Sequence, residues 1–406
     1  MRPWPFTKLP LPAEEYGLAK LRVLHIYRTY FPETQGGGQE AIRQLALATR
    51  DLGIDNTIFT LARNPTPPEM VLPEGRLIRS RSWFEIASCD VGGRDSFLRC
   101  REAADQCDII QIHFPWPFAD LMLPFIRRRG QAVVVTYVSD IVRQKGLGRL
   151  YAPLRKKLLG HADSIIASSA NYASSSDILK QYEAKLGVIP HCLEDAPTID
   201  PELLRHWQAR LGNQFLLFVG VLRYYKGLSI LLEAARHTKA DIVILGEGPE
   251  GSRLRQAVQG MGLKNIHFVG ALPDADKNVL FSLCRAVVLP SHLRSEAFGM
   301  TLLEGARASK PLICCEIATG TTAINLHLET GLVVPPSDPA SLAQAINRLM
   351  ADDALSLKLG QGARVRWQRY FTPAVVGQAY KNLYEKLIGA NAQRADMLTH
   401  KARLRA

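Results

Sequence analysis

The feature that most constrains this chain is an alternation of short apolar segments with helical patterns, which runs from residue 21 to 193 and restarts near residue 214. Strand patterns cover 21–26, 56–60, 109–112, 132–137 and 164–167, then 215–219, 241–245, 266–269, 286–289 and 311–315. Apolar residues at helical spacing lie between most of them. Strands that alternate with helices build a parallel sheet covered on both faces. The sequence therefore predicts an α/β protein with two doubly wound halves that face a central cleft.

The predicted halves are joined by a short polar segment. We expect an irregular N-terminal segment at 1–20, a first domain at 21–193, a hinge linker at 194–213, a second domain at 214–372, a helix at 373–390 that packs back on the first domain, and a basic tail at 391–406. Ligands of paired α/β domains bind in the cleft between them, outside the carboxyl ends of the strands.

The net charge of +12 is unevenly distributed. Nine basic residues and one acid lie between 127 and 161, and ten basic residues and two acids between 355 and 406. This concentration favours an anionic partner such as a phosphate-bearing substrate or a membrane surface, although a solvated basic face remains open. No aromatic-and-basic stripe accompanies it, which argues against nucleic acid. Seven cysteines without a Cys-x-x-Cys pair indicate reduced thiols in a cytoplasmic protein.

Two loops at equivalent places in the halves carry candidate anion-binding residues. Gly36, Gly37 and Gly38 separate the first strand from the first helix, where backbone amides favour an anion, although a plain turn remains open. Arg223 and Lys226 follow the first strand of the second half and place two cations at the mouth of the cleft. In isolation, Lys226 is equally consistent with an exposed surface lysine.

A third segment holds two carboxylates. Glu296 and Glu304 lie eight residues apart around Gly299, with the second inside a predicted helix. At 1.5 Å rise per residue they would be about 10 Å apart, which suits two ends of one ligand better than an acid–base pair.

In order and spacing, these segments resemble the retaining glycosyltransferases of family 4. The resemblance covers about residues 21–390 and also rests on the runs at 112–118, 139–145, 220–228 and 330–339. It implies the GT-B fold, in which two Rossmann-like domains flank the cleft. The second domain then binds a nucleoside-diphosphate sugar, and the first domain binds the acceptor.

The resemblance assigns roles by motif. Arg223 and Lys226 would hold the diphosphate and stabilise the leaving group, Glu296 would bind donor-sugar hydroxyls, and Glu304 would bind the ribose. The remaining donor-binding candidates are backbone groups: Gly37 and Gly38 in the first domain, and Phe298, Gly299, Met300 and Thr301 in the second.

The chain departs from the family at Val138, where a histidine is common after the strand at 132–137. Valine cannot form a hydrogen bond through its side chain, so His113, at the end of the preceding strand, becomes a catalytic candidate. A satisfied core histidine remains the alternative. The cation at Arg223, three residues after Gly220 and not directly after it, is a smaller departure.

Asp274 and Asp276 spell the D-x-D metal motif of a different glycosyltransferase fold. We expect Asp276 to cap a helix that begins at Lys277, and we predict no catalytic metal and no cofactor.

The acceptor must be inferred from the surface. Apolar residues at 147–158 share one face of a predicted basic helix with Arg155, Lys156 and Lys157, which favours attachment to an anionic leaflet. Pro153 would dent this helix or mark its start. We therefore predict a hexosyltransferase for mannose or a deoxyhexose such as rhamnose. It would use a GDP-sugar, or alternatively a UDP-sugar, and a lipid-linked glycan acceptor, at the inner face of the plasma membrane. The alternatives are a non-catalytic sugar-nucleotide-binding scaffold and another GT-B enzyme such as an epimerase.

Overall fold

The computed structural model of the protein describes residues 20–86, 89–140 and 145–403. The predictions for the segment 1–19, for residues 141–144 and for the last three residues lie outside the described part, as do the side chains of 145–150 and 394–403.

The first half is a sheet flanked by helices. Its elements are β1 (Arg22–Ile26), α1 (Gly37–Arg50), β2 (Asp55–Ala62), β3 (Glu69–Leu72), β4 (Gly75–Ile86), β5 (Cys89–Gly92), α2 (Arg94–Asp105), β6 (Ile109–Phe114), α3 (Pro117–Ile126), β7 (Ala132–Tyr137), α4 (Lys145–His161), β8 (Ser164–Ala167), α5 (Ala170–Ser175) and β9 (Leu186–Val188). The strand order is β3-β4-β2-β1-β6-β7-β8-β9. The pairs from β4–β2 to β8–β9 are parallel, so their carboxyl ends share one edge.

One edge of this sheet was not predicted. Strands β3 and β5 pair with β4 in antiparallel fashion. Val71 of β3 is exposed, as are Trp83, Phe84 and Ile86 near the end of β4, whereas the buried part of β4 includes Arg79 and Ser80. Exposed apolar residues and buried polar residues break the apolar run by which the other parallel strands were recognised.

The second half has a six-stranded sheet that is parallel throughout. Its elements are α6 (Pro201–Leu211), β10 (Phe215–Val219), α7 (Leu228–Ala235), β11 (Asp241–Leu245), α8 (Gly251–Gly260), β12 (Ile266–Gly270), α9 (Asp274–Leu283), β13 (Ala286–Leu289), α10 (Met300–Arg307), β14 (Leu312–Cys315), α11 (Thr321–Ile324), β15 (Gly331–Val334), α12 (Pro339–Ala351), α13 (Asp353–Tyr370) and α14 (Pro373–Arg403). The order β12-β11-β10-β13-β14-β15 reverses direction beside β10. The prediction of two doubly wound α/β halves is confirmed.

Helix α14 leaves the second half and packs on the first. Val376, Tyr380 and Tyr384 are buried in one apolar cluster with Val23 of β1 and Val134 of β7. The hydroxyl of Tyr384 donates a hydrogen bond to Gln111 Oε1 on β6. The chain crosses between the halves twice, and the two crossings meet where Leu193 N donates to the Phe371 carbonyl over 3.0 Å.

The segment between the halves contains α6, which Asp200 caps by accepting a hydrogen bond from Glu202 N over 2.8 Å. The domain boundaries at 193/194, 213/214 and 372/373 stay predictions. All seven cysteines are free thiols, and six of them are buried.

The structure decides two details of the helices that the sequence left as expectations. Helix α9 begins at Asp274 with Pro273 at its N-cap, and Asp276 instead accepts a hydrogen bond from Trp207 Nε1 over 2.8 Å. The prediction that Asp276 caps the helix was therefore wrong. Helix α4 contains Pro153 in its interior and runs on to His161.

Candidate active site

The loop after β10 carries Arg223 and Lys226. Residues Tyr224–Lys226 form a 3-10 turn, and Gly227 follows in the left-handed region with φ of 72°. A Cβ at Gly227 would lie 1.9 Å from the Pro290 carbonyl oxygen, so only glycine permits this approach. The glycine thus brings the turn against the loop that carries Glu296.

Lys226 and Glu296 form an ion pair. Lys226 Nζ lies 2.5 Å from Glu296 Oε2, and the two side chains are 12% and 10% exposed. Ser291 Oγ donates to the same oxygen over 3.0 Å. Burial lowers the pKa of the Lys226 ammonium, but Glu296 and Tyr225 together raise it by more, so the pKa lies above its ordinary range. Lys226 is thus a fixed, fully protonated cation, whereas Arg223 is exposed at the surface of the same loop.

The start of α10 lies beside this pair. Gly299 precedes the helix in the left-handed region, with φ of 97°, and no side chain caps the helix. Thr301 Oγ1 donates to the Val219 carbonyl over 2.9 Å, which fixes the helix against the end of β10. The first amides of a helix have no intrahelical partner and favour an anion. The predicted residues Phe298, Gly299, Met300 and Thr301 therefore lie at a helix N-terminus next to Lys226.

Glu304 has a partner that the sequence analysis missed. Lys277 Nζ lies 2.9 Å from Glu304 Oε1 and 2.8 Å from Asp274 Oδ1. Burial lowers the pKa of Lys277, but the two carboxylates outweigh it and raise the pKa well above its ordinary range. The i,i+3 spacing of Asp274 and Lys277 on α9 was the available signal. The attachment to Glu304 depends on how α9 packs against α10, which the sequence does not show.

The glycine loop approaches the second half across the cleft. A Cβ at Gly37 would lie 3.6 Å from Met300 Cγ, and one at Gly38 would lie 2.6 Å from the Tyr27 hydroxyl. Gly37 therefore faces the start of α10, whereas Gly38 packs against Tyr27 of its own half. Arg43 of α1 also acts on Asp274 electrostatically, so α9 faces α1.

His113 lies near the end of β6 and is 2% exposed. Its Nε2 is 3.2 Å from His25 Nδ1, and His25 Nε2 is 3.0 Å from Asn56 Oδ1. Burial lowers the pKa of His113 well below its ordinary value and lowers that of His25 to about 4. Both imidazoles are neutral near pH 7. Val138 is half-buried just beyond β7.

Three polar contacts made by Arg294 and Asn171 join the halves. Arg294 forms an ion pair of 3.2 Å with Asp140 and donates to Ser175 Oγ over 2.7 Å. Asn171 Nδ2 donates to Thr322 Oγ1 over 3.1 Å. These contacts were not predicted, because their residues form no recognisable local motif in the sequence.

Comparison with known proteins bears on this arrangement. The model of the family "Glycosyltransferase Family 4" matches residues 35–196, and that of "Glycosyl transferases group 1" matches residues 200–366. The chain is 45% identical over 369 residues to the O-antigen chain mannosyltransferase C of Escherichia coli, covering 91% of this chain and 99% of that protein. The chain belongs to glycosyltransferase family 4.

A second relative of this glycosyltransferase is D-rhamnosyltransferase WbpZ of Pseudomonas aeruginosa. It is 45% identical over 355 residues, which cover 87% of this chain and 92% of WbpZ. Both relatives are transferases, which does not favour the scaffold or epimerase alternatives. The predicted family and enzyme class are confirmed.

Solved structures show the fold of the glycosyltransferase. Sucrose-phosphate synthase from Thermosynechococcus elongatus superposes with a TM-score of 0.76 at 22% identity, over 91% of this chain and 100% of that one. WaaG, involved in lipopolysaccharide biosynthesis, superposes with a TM-score of 0.66 at 15% identity, over 88% and 98%. The GT-B prediction is confirmed. Among the described residues, none of the helices combines the length and the hydropathy that a membrane span requires.

Proposed function

We propose that this glycosyltransferase transfers a hexosyl residue from a GDP-sugar to a lipid-linked glycan in cell-surface polysaccharide biosynthesis, with retention of anomeric configuration. The observation that carries the proposal is the pair of buried lysine–carboxylate contacts, Lys226–Glu296 and Lys277–Glu304, on either side of the N-terminus of α10. The site then offers cations and amides for a diphosphate and carboxylates for hydroxyl groups.

In the proposed reaction, Lys226 and the first amides of α10 bind the diphosphate, and Arg223 adds a second charge from the surface. The bond between the sugar C1 and the phosphate oxygen breaks, and negative charge grows on the departing phosphate. Cations fixed beforehand at that position stabilise the transition state more than the ground state. The acceptor oxygen forms its bond to C1 on the same face, and its proton passes to the departing phosphate. Neither a metal nor a cofactor takes part in this scheme.

The sugar is proposed to be of the manno configuration. The two relatives described above are named as a mannosyltransferase and a D-rhamnosyltransferase. D-rhamnose is 6-deoxymannose, so the two sugars share their ring configuration and differ at C6. Glu296, held by Lys226 and Ser291, is the proposed acceptor of hydrogen bonds from the ring hydroxyls.

The base is proposed to be guanine because of Asp274. Its side chain is 72% exposed, lies across the cleft from Arg43, and is joined through Lys277 to the proposed ribose ligand Glu304. Guanine offers two adjacent donors, N1–H and the 2-amino group, which fit both oxygens of one carboxylate. Uracil offers one donor flanked by two carbonyl oxygens, which a carboxylate repels.

Titration calorimetry with GDP and UDP tests this assignment. Asp274→Asn should weaken GDP binding by about 10-fold to 100-fold, since a hydrogen bond to a charged group contributes roughly 1.5–3 kcal/mol. UDP binding should change less than about threefold on the same scale. Asp177→Asn is the matched control, because Asp177 pairs with Lys180 at the same i,i+3 spacing on the surface. Tighter binding of UDP than of GDP by the unmodified protein would exclude the guanine assignment.

The membrane part of the proposal rests on α3 and α4. Lys156 and Lys157 are exposed on α4, and Leu121 and Phe125 are exposed one turn apart on the neighbouring helix α3. Apolar side chains next to lysines suit the interface of an anionic leaflet, where the acceptor lipid would reside. We propose that the protein is cytoplasmic and attaches peripherally by this face.

Vesicle sedimentation tests the attachment. Replacing Lys156 and Lys157 by serine should weaken binding to vesicles with anionic lipid by about fivefold per lysine, since each contributes about 1 kcal/mol near the surface. Replacing the exposed Lys239 and Lys264 of the second half removes the same charge and should have no comparable effect. An equal loss of vesicle binding in both double variants would show that net charge alone, and not this face, drives the attachment.

A further inference from the structure

Three residues under the glycine loop form a hydrogen-bonded chain. Asn56 of β2, His25 of β1 and His113 of β6 are all buried, with exposed fractions of 5%, 0% and 2%. Asn56 Oδ1 is 3.0 Å from His25 Nε2, and His25 Nδ1 is 3.2 Å from His113 Nε2. The parallel register places the strands side by side in the order β2-β1-β6. The three hydrogen-bonded side chains thus run across neighbouring strands and end at His113, next to the carboxyl end of β6.

The orientation of the Asn56 amide fixes the protons along this chain. Asn56 Nδ2 donates to the Ala46 carbonyl over 2.9 Å, and a carbonyl can only accept. The other amide atom, Oδ1, must therefore accept, so His25 Nε2 carries a hydrogen. Because His25 is neutral, it has one ring hydrogen, which is on Nε2. Its Nδ1 therefore has a free lone pair and accepts a hydrogen bond from His113 Nε2–H. His113 is neutral as well, so its own Nδ1 carries no hydrogen.

The end of the chain lies at the floor of the cleft. The His113 ring contacts the edge of Tyr27, with ring centroids 6.1 Å apart, and the Tyr27 hydroxyl abuts Gly38. His191 is close enough that a charge on it would lower the pKa of His113, and the His191 ring packs against Phe298 with centroids 4.7 Å apart. The imidazole thus lies between Gly38 of the glycine loop and Phe298 of the loop before α10.

We infer that Asn56 and His25 are positioning residues that hold His113 Nδ1 as a hydrogen-bond acceptor for a hydroxyl group of the donor sugar. A neutral Nδ1 without a hydrogen cannot donate to phosphate oxygens, so His113 does not replace the phosphate-supporting histidine that Val138 displaces. Its partner must be a hydrogen-bond donor, and we assign that role to a hydroxyl group of the hexose. This role rests on the proposed function, whereas the proton positions do not.

Nitrogen NMR on the full-length protein tests the proton positions without substrate. With ¹⁵N-labelled histidine at pH 7, the ring correlations should show Nε2–H and a bare Nδ1 for both His25 and His113. The variants His25→Gln, His113→Gln and His191→Gln assign the signals of the three neighbouring rings. A hydrogen on His113 Nδ1, or a positively charged ring, would overturn the inference even if the protein transfers the proposed sugar.

The variant Asn56→Asp tests the functional consequence. A carboxylate beside His25 Nε2 favours the charged imidazolium, so His25 takes a second proton as the pH falls. It then donates from Nδ1, which forces His113 to accept at Nε2 and to carry its hydrogen on Nδ1. Besides His25, the titratable groups recorded next to His113 are Tyr27 and His191, and neither carries a carboxylate. The kcat/KM of Asn56→Asp should therefore drop by about tenfold as the pH is lowered through the raised His25 pKa, with the loss of one hydrogen bond.

The kcat/KM of the unmodified protein should show no such drop over the same pH range. Asn56→Leu serves as the comparison that removes the acceptor without adding charge: it should lower kcat/KM at every pH and create no new limb. With a sugar nucleotide that lacks the hydroxyl group bound by His113, the unmodified protein and Asn56→Asp should have the same pH profile of kcat/KM. Parallel pH profiles, with NMR showing His25 protonated in Asn56→Asp, would overturn the positioning role and leave the proposed transfer reaction intact.

Discussion

The two walls of the cleft differ in how they carry polarity. On the C-terminal wall, Lys226 and Lys277 are charged, largely buried and held by carboxylates. On the N-terminal wall, His25 and His113 are buried and neutral, and the loop next to them consists of glycines. Charge that develops on a leaving phosphate would therefore be stabilised from one side. The other side would supply shape and hydrogen bonds, a division that can be tested wall by wall.

The largest effect is expected at Lys226. Lys226→Met should lower kcat by at least about 10²-fold, because a cation positioned for the leaving group contributes on the scale of an oxyanion-hole donor. Initial rates with the matched GDP-sugar measure this. Lys239→Met, an exposed lysine on the same half, should retain full activity.

The unpaired Glu296 complicates Lys226→Met, since breaking a buried pair can cost about 3–5 kcal/mol of folding free energy. Lys226→Met combined with Glu296→Gln should restore stability, as measured by urea unfolding, without restoring activity. A double variant that regains turnover would show that the charge on this wall is not catalytic.

A smaller effect is expected at Glu304. Glu304→Ala removes the carboxylate proposed for the ribose and leaves Lys277 with Asp274 alone. Affinity for the nucleoside diphosphate should fall by about 10-fold to 100-fold, from a charge-assisted hydrogen bond of roughly 1.5–3 kcal/mol. An unchanged affinity of Glu304→Ala, measured by titration calorimetry, would show that Glu304 does not belong to the binding site.

Val138→His adds a hydrogen-bond donor to the neutral wall. Val138 is only half-buried, so folding should tolerate the imidazole better than a fully buried position would. If that ring reaches the donor phosphate, the rate should rise, by up to about 10²-fold for well-aligned geometry. A flat or lower turnover in a folded variant would mean that valine is an adaptation of this enzyme to a one-sided distribution of charge.

The mildest effect concerns stability in acid. His25 has a folded pKa of about 4 against an unfolded value of 6.5, because burial disfavours its charged form. Between those values the unfolded chain binds a proton that the folded chain does not, so the free energy of unfolding falls as the pH is lowered. The slope is at most about 1.4 kcal/mol per pH unit for each such histidine.

Hydrogen exchange by mass spectrometry at pH 7 and pH 5 would resolve this by region. Peptides from β1 and β6 should lose more protection than peptides from β10 and β11. Equal losses in both sheets would show that the two halves do not differ in their response to acid.

The sequence predicted the buried parallel strands well, because each is a short apolar run between turns. The strands at 132–137, 215–219 and 241–245 begin and end where predicted. The strands β3, β4 and β5 at one edge were missed, because β4 buries Arg79 and Ser80 and exposes Trp83, Phe84 and Ile86. Pattern alone fails where polar residues are buried and apolar residues are exposed.

The site was predictable only as far as local motifs reach. Lys226 and Glu296 were chosen from separate motifs, and the fold brings them to 2.5 Å. Lys277 and His25 were missed because their importance comes from partners on other elements. Asp276 was misassigned, because its carboxylate accepts a hydrogen bond from the Trp207 indole of α6. The catalytic and binding roles of Lys226 and Glu296 stay predictions.

Helix α14 has a consequence for how the protein is made. Its residues Val376, Tyr380 and Tyr384 complete an apolar layer on a sheet whose last strand ends at Val188. A ribosome adds residues in order, so the N-terminal sheet emerges long before the helix that covers this face. The nascent N-terminal half must therefore remain partly open to solvent, and to chaperones, while the whole second half is translated. Final closure of that face is then a late, long-range event that links the maturation of one half to the synthesis of the other.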